Sequence, residues 1–458
     1  MLDFLALTGI KTSIAGVKWP AIPADEGALA LAMQFQLEQT EWCSAASIQS
    51  RQMDQLAVLL RHAHETVPFW RERLTRAGYA PDREITVDWL LSLPTLTRAD
   101  IQSHGDALVS SAVPRDHGAL MEGHTSGSTG TPVRFVTTSL TRFFWRAFTL
   151  REHLWHQRDF QGKFASIRLG VKEEETSGWG PSTDVALSTG PAATLSITTD
   201  VEYQLAWLQR QSPDYLLSFP SNLDELARLS LERGIRIPRL REVRAISEPL
   251  SPQTRQRVRE AWGTPVTDVY STQEVGYIAL QCPAHEQYHV QAEGVIVEII
   301  DDDGKPCKPG ELGRVVVTSL HNFAIPFIRY EIGDLAEPGT ACPCGRGLPV
   351  ITKIYGRVRN MITLPDGRKM WPSLPGRLSQ FAGGKVRQRQ VIQRSLERIE
   401  VLLSVWSALT AEEENELRTA TQKALGHSFA VRIIYCASIE RSSSGKFEEF
   451  RSEVDAVG

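Results

Sequence analysis

The chain has no apolar run approaching the ~18 residues that a membrane-spanning helix needs, so no membrane span or membrane partner is expected. Cysteine is scarce: six in 458 residues do not make a disulfide scaffold. Neither sign of charge dominates, with 50 basic against 54 acidic residues and a net charge of −4. That balance lacks the basic excess of a nucleic-acid partner or an anionic membrane surface. Met1–Ile10 is apolar in places but lacks a basic flank and a small-residue cleavage site, and a cytoplasmic protein is expected. No internal repeat or low-complexity tract is evident.

What is present is an ordinary globular composition, 42% hydrophobic and 23% charged. At 458 residues the chain exceeds the ~250–300 at which single cores split, so at least two domains are expected. Residues 1–120 read as helical, with apolar residues at helical spacing over Glu26–Leu37 and Gln55–His64. Over 121–290 short buried strands (164–168, 215–218, 243–246 and 267–270) alternate with helical stretches such as Asn222–Arg233 and Ser251–Trp262. This predicts an α/β fold with a mainly parallel sheet covered by helices. Residues 291–356 read as a small β-barrel-like region, and 357–458 as a small α+β domain with a helix at Ala411–Leu425 and strands over 392–405 and 430–435.

His124-Thr-Ser-Gly-Ser-Thr-Gly-Thr-Pro132 is the most informative stretch. Thr125, Ser126, Gly127, Ser128, Thr129 and Gly130 can wrap a polyphosphate, because glycines let the backbone approach and successive N–H groups form an anion-binding concavity. The same residues also make ordinary turns. No Gly-Lys-Ser/Thr ending marks it as a Walker loop.

Four more motifs follow in order: Tyr270-Ser271-Thr272-Gln273-Glu274, Arg329-Tyr-Glu-Ile-Gly-Asp334, Gly356-Arg357 and Ser442-Ser-Ser-Gly-Lys446. These five elements resemble the adenylate-forming (ANL) superfamily of AMP-producing ligases. The likeness is greatest to phenylacetate–CoA ligases and their CapK-type relatives of capsular-polysaccharide clusters. Leu60–Trp70 and Leu93–Thr97 are similar to the N-terminal region of that subfamily.

The resemblance implies ATP- and magnesium-dependent activation of a carboxylic acid, aromatic in the nearest relatives, as an acyl-adenylate. The acyl group then passes to a thiol such as CoA, with a carrier-protein thiol or an amine as other acceptors. It implies an adenylation domain over 1–356 and a mobile lid over 357–458. Thr125–Gly130 would cradle the β/γ-phosphates, Glu274 would hold magnesium, and Asp334 would bind the ribose. Ala245, Ile246, Ser247, Glu248 and Pro249 would line the adenine and acyl sites, with Tyr270 beside them and Ser271, Thr272 and Gln273 along the nucleotide. Arg357 would touch ribose or phosphate, and Lys446 would reach the α-phosphate and carboxylate oxygens. The sequence departs from the family at Thr131, where a lysine is usual, at Ser271 and Gln273, and at Arg359, where a hinge aspartate is usual.

Cys282-Pro-Ala-His285 and Cys342-Pro-Cys344 are two short turns with soft ligands, the donor set of a closed tetrahedral zinc site. His285 is taken as the fourth ligand, with His289 as its competitor. Cys43, Cys307 and Cys436 have no partner pattern.

Two other readings stand beside this one. An amide- or ester-forming ligase shares the first half-reaction. A phosphotransferase or ATPase that releases ADP differs from both in its product. The oligomeric state stays open, a homodimer included.

Overall fold

The computed structural model describes residues 9–125, 133–357, 361–370, 372, 384–439, 441 and 446–454. The chain divides into two compact units, Met1–Tyr355 and Gly356–Gly458.

The first unit opens with helices α1 (Asp25–Thr40), α2 (Ala45–Thr66), α3 (Pro68–Arg76), α4 (Val87–Ser92) and α5 (Arg98–His104). Ser44 caps α2 by accepting the Ser47 N–H, and Pro68 starts α3, where a missing N–H costs nothing. The face of α2 formed by Ile48, Leu56, Leu59, Leu60 and Ala63 is buried, as its spacing requires. The hairpin of β1 (Met121–His124) and β2 (Arg134–Thr137) flanks the Ser/Thr/Gly loop and leads into α6 (Ser139–Trp155).

A single sheet then runs through the unit. Its strands are β3 (Phe164–Arg168), β4 (Glu174–Thr176), β5 (Ala192–Ser196), β6 (Tyr215–Ser218), β7 (Glu242–Ile246) and β8 (Val266–Thr272), followed by β9 (Gly276–Gln281) and β10 (Tyr288–Val290). Helices α7 (Val201–Gln211), α8 (Pro220–Arg233) and α9 (Pro252–Trp262) connect strands within the first group. β11 (Val295–Ile300), β12 (Gly313–Ser319), β13 (Tyr330–Pro338) and β14 (Val350–Arg357) complete the order β11-β12-β13-β14-β10-β9-β8-β7-β6-β3-β5-β4.

The five strands β5, β3, β6, β7 and β8 are parallel, and β9 and β10 turn the sheet antiparallel. The β-rich region is therefore continuous with the parallel sheet, because β10 pairs with both β9 and β14. Under the sheet lies a charged cluster. Glu152 on α6 is fully buried and meets Arg158 at 2.6 Å and Arg244 of β7 at 3.0 Å, while Arg158 also pairs with Glu242.

In the second unit β15 (Ile362–Thr363) pairs with β16 (Lys369–Met370). Strands β17 (Val386–Gln393), β18 (Arg398–Val405), β19 (Ala430–Tyr435) and β20 (Phe450–Ser452) form a sheet in the order β19-β18-β17-β20. Helix α10 (Ala411–Ala424) carries a Thr410–Glu413 capping box and packs Leu417 into a core with Ile399, Val401, Leu403, Phe429 and Phe450. No described helix is long and apolar enough to cross a membrane.

Candidate active site and metal cluster

Parallel strands end on one side of a sheet, and in open α/β sheets that edge is where ligands bind. β7 and β8 lie side by side, with Ile246 opposite Val269. Ala245 is fully buried and Ile246 half-buried at the end of β7. Ser247 follows with φ +72°, a conformation that a non-glycine residue rarely takes and that clusters at functional turns. Ser247 and Pro249 are exposed. Glu248 Oε2 accepts the Ser221 N–H at 2.9 Å, so this carboxylate caps the first turn of α8 from a neighbouring loop.

β8 ends at Ser271 and Thr272, both half-buried, and Gln273–Val275 form a tight turn into β9 that begins at Gly276, φ +101°. The Val275 N–H donates to Thr272 Oγ1 at 3.2 Å. Glu274 sits in this turn and is buried, with 6% of its surface exposed. Tyr270, one turn of the pleat earlier, is also buried, and its hydroxyl donates to Asp334 Oδ2 at 2.9 Å. Asp334 lies on β13 immediately after Gly333, φ +84°. Arg329, at the head of the same motif, is spent on structure: it pairs with Glu298 at 2.8 Å and donates to the Leu91 carbonyl at 2.7 Å.

Of the candidate phosphate loop, Thr125 is described, and Ser126–Pro132 lie outside the described residues. Thr125 and Val133 exchange two hydrogen bonds of 2.9 Å, Thr125 N to the Val133 carbonyl and Val133 N to Thr125 Oγ1. They pin the base of the loop. Arg134 pairs with Glu122 at 2.7 Å and Asp106 at 2.6 Å. In the second unit Arg357 ends β14 and Lys446 is half-buried; Ser442–Gly445 and Arg359 lie outside the described residues.

The cysteine turns do meet. One ligand atom from each of Cys282, His289, Cys342 and Cys344 lies within 4.8 Å of the others. Cys282 Sγ is 3.8 Å from Cys342 Sγ, and Cys344 Sγ is 3.3 Å from His289 Nε2. The fourth side chain is His289, not His285. Cys282 directly follows β9, and the β9–β10 register sets His289 opposite Leu280, which brings its ring back beside the thiol. His285 is exposed in the intervening turn, and its backbone N–H, with that of Ala284, supports the Cys282 sulfur.

Three thiols and one imidazole are the donor set of a closed tetrahedral zinc site. Their electrostatics fit a cation. Burial pushes the Cys282 thiol up to about 11, with backbone N–H groups opposing and the Cys344 and Cys342 sulfurs adding to the rise. Cys344 is shifted down: burial raises it, but the Arg346 backbone and side chain and the two neighbouring thiols outweigh that effect. Burial, and then the Arg346 charge, lower His289 to about 4, which leaves the neutral imidazole that a metal takes. A dication offsets the mutual repulsion of thiolates at this spacing.

The cluster is bolted to the N-terminal helices. Gly347 N donates to the Glu41 carbonyl at 2.8 Å, Arg346 Nε to Glu41 Oε1 at 3.2 Å, and the Arg346 guanidinium lies 4.9 and 4.6 Å from the Trp42 and Trp155 rings.

Residues 179–324 match the AMP-binding enzyme family, and residues 375–452 match the CapK C-terminal domain. These matches support an adenylate-forming enzyme of the phenylacetate–CoA ligase and CapK type. It is 27% identical over 356 residues to a phenylacetate-coenzyme A ligase of Thermus thermophilus, covering 74% of this chain and 77% of that one. It is 26% identical over 431 residues to the phenylacetate-coenzyme A ligase of Escherichia coli, covering 89% and 95%. In fold this ligase matches 2-hydroxyisobutyryl-CoA ligase in its postadenylation state, with a TM-score of 0.71 at 19% identity over 97% of both chains.

Proposed function

We propose that this ligase condenses a carboxylic acid, aromatic as in the relatives' substrate, with ATP to give an acyl-adenylate and pyrophosphate, and then transfers the acyl group to CoA. The observation that carries this reading is the grouping at one sheet edge: the buried Glu274 in its turn, and Asp334 held by Tyr270, within a chain of the adenylate-forming type. The carboxylate oxygen attacks the α-phosphorus and pyrophosphate leaves. Both reactants are anions, so the residues must position them and balance charge.

Asp334 accepts hydrogen bonds from the ribose hydroxyls. Thr125, Ser126, Gly127, Ser128, Thr129 and Gly130 hold the β- and γ-phosphates. Lys446 brings its ammonium to the α-phosphate and carboxylate oxygens, and Arg357 adds a second cation. Ala245, Ile246, Tyr270 and the strained Ser247 turn wall the acyl and adenine sites. Ser271, Thr272 and Gln273 follow the nucleotide. Glu248 serves by fixing this turn to α8. Magnesium, when bound, neutralises phosphate charge, and Glu274 is the hard carboxylate that would hold it. In the second half-reaction the CoA sulfur attacks the acyl carbonyl and AMP leaves. The unit 356–458 acts as the mobile lid. Cys282, His289, Cys342 and Cys344 would hold a structural zinc: four protein ligands leave no position for water.

Pyrophosphate exchange across a panel of carboxylic acids, followed by mass spectrometry of products with CoA and with amines, tests the reading. Acid-dependent exchange and an acyl-CoA product are expected. Release of ADP would overturn it, and an amide product would redirect the second step.

A further inference from the structure

We propose that the Tyr270 hydroxyl is a positioning group for ribose recognition: it sets the Asp334 carboxylate in place before ATP arrives. The inference rests on the reading of Asp334 as the ribose ligand and deepens it.

The geometry behind it is specific. β8 and β13 are not neighbours; β14, β10 and β9 lie between them in the sheet. Strand spacing of ~4.8 Å would put them about 19 Å apart in a flat sheet. The hydrogen bond of 2.9 Å from Tyr270 to Asp334 Oδ2 therefore requires the sheet to curl back on itself. It ties the catalytic edge of the parallel half to the antiparallel half.

Asp334 follows Gly333, whose φ of +84° is open to glycine and strained for other residues. A phenol is rigid, with few rotatable bonds, and this one is buried. Its hydroxyl fixes one carboxylate oxygen and with it the plane of the group. A ribose diol needs both donors met by a correctly turned carboxylate, so ordering it in advance lowers the cost of binding. The tyrosine ring is not needed for this; the hydroxyl alone is.

Tyr270→Phe removes that oxygen and keeps the ring. The expected result is a rise of about tenfold in KM for ATP, the scale of one hydrogen bond to a charged acceptor. With 2′,3′-dideoxy-ATP, which offers no ribose hydroxyls, the same variant should lose no more than about twofold, because the coupled partner is gone. Asp334→Asn should remove most of the discrimination between the two nucleotides. Equal losses on both nucleotides in Tyr270→Phe would overturn the proposal, since the hydroxyl would then serve the base or the fold. An unchanged KM for ATP would overturn it as well. If Asp334→Asn keeps full discrimination, the ribose reading itself fails; if only Tyr270→Phe is silent, that reading stands and the positioning role falls.

Discussion

Cys344 and His289 are 55 residues apart in sequence, yet Sγ and Nε2 stand 3.3 Å apart. The β9–β10 hairpin and the 342–348 loop together create that distance, and neither alone supplies a site. Purified protein should accordingly carry about one zinc per chain. His289→Ala should lose it and His285→Ala should keep it. Elemental analysis decides between them, and zinc retained by His289→Ala would sink the assignment. Loss of the metal should lower the melting temperature more than it changes the chemical step, because Arg346 and Gly347 beside it anchor α1 through Glu41.

The difference between His285 and His289 marks how far the sequence could be read. Spacing within a turn favours His285, the fourth residue of Cys-x-x-His. Side-chain direction is set by hairpin register, and Tyr288-His289-Val290 returns along β9 with His289 fully buried. The parallel strands were far more legible. Tyr215–Ser218 and Phe164–Arg168 have the bounds their apolar runs suggest, because strands buried on both faces leave a plain signature. Tyr270 and Asp334 were legible as motif residues, but their contact was not. It depends on curvature accumulated across three intervening strands. Glu248 reads from the sequence either as lining the adenine and acyl sites or as a helix-entry carboxylate, and the Ser221 N–H it accepts at the start of α8 fits the second role.

Lys446→Ala should slow acyl-adenylate formation by ~10²-fold or more, the usual scale for one preorganised charge contact. Fold should survive, because Lys446 is half-buried and is not among the residues that pack the core of the second unit. Pyrophosphate exchange checks it; a near-normal rate would remove Lys446 from the machinery.

Glu274→Gln keeps the shape of a buried side chain and removes its charge. Turnover should fall and the magnesium requirement should shift to higher concentration, since a neutral amide is a poor ligand for a hard cation. Matching magnesium titrations of variant and wild type would show that the metal is held elsewhere.

Arg158→Met tests the cluster under the sheet. Arg158 and Glu152 are both almost wholly buried, and Glu152 also pairs with Arg244. Removing one partner strands a buried charge, at a cost of ~3–5 kcal/mol. A denaturant midpoint close to wild type would mean that Arg244 alone satisfies Glu152.

The same cluster sets how stability responds to acid. His153 is held well below its usual value, first by burial and then by the Arg158 and Arg244 charges, with Glu152 opposing. Aromatic rings of Phe160, Phe164 and Trp179 pack around it, and its Nδ1 lies 3.0 Å from Arg158. The folded chain thus keeps His153 neutral while the unfolded chain takes up a proton near pH ~6.5. The unfolded state binds more protons, so stability falls as pH drops from 7 toward 5, at up to ~1.4 kcal/mol per pH unit for this group. Glu152 acts lower. Burial raises its carboxyl, but the Arg158 and Arg244 charges win and hold it well below the carboxylate range. Its contribution is complete above pH ~4.3 and is lost as pH falls further. Urea midpoints measured from pH 7 to 3 should show both phases. His153→Asn should reduce the upper phase, which His156 and His289 share because burial lowers them too, and leave the lower one; a variant profile matching wild type between pH 7 and 5 would mean that His153 is protonated in the folded protein.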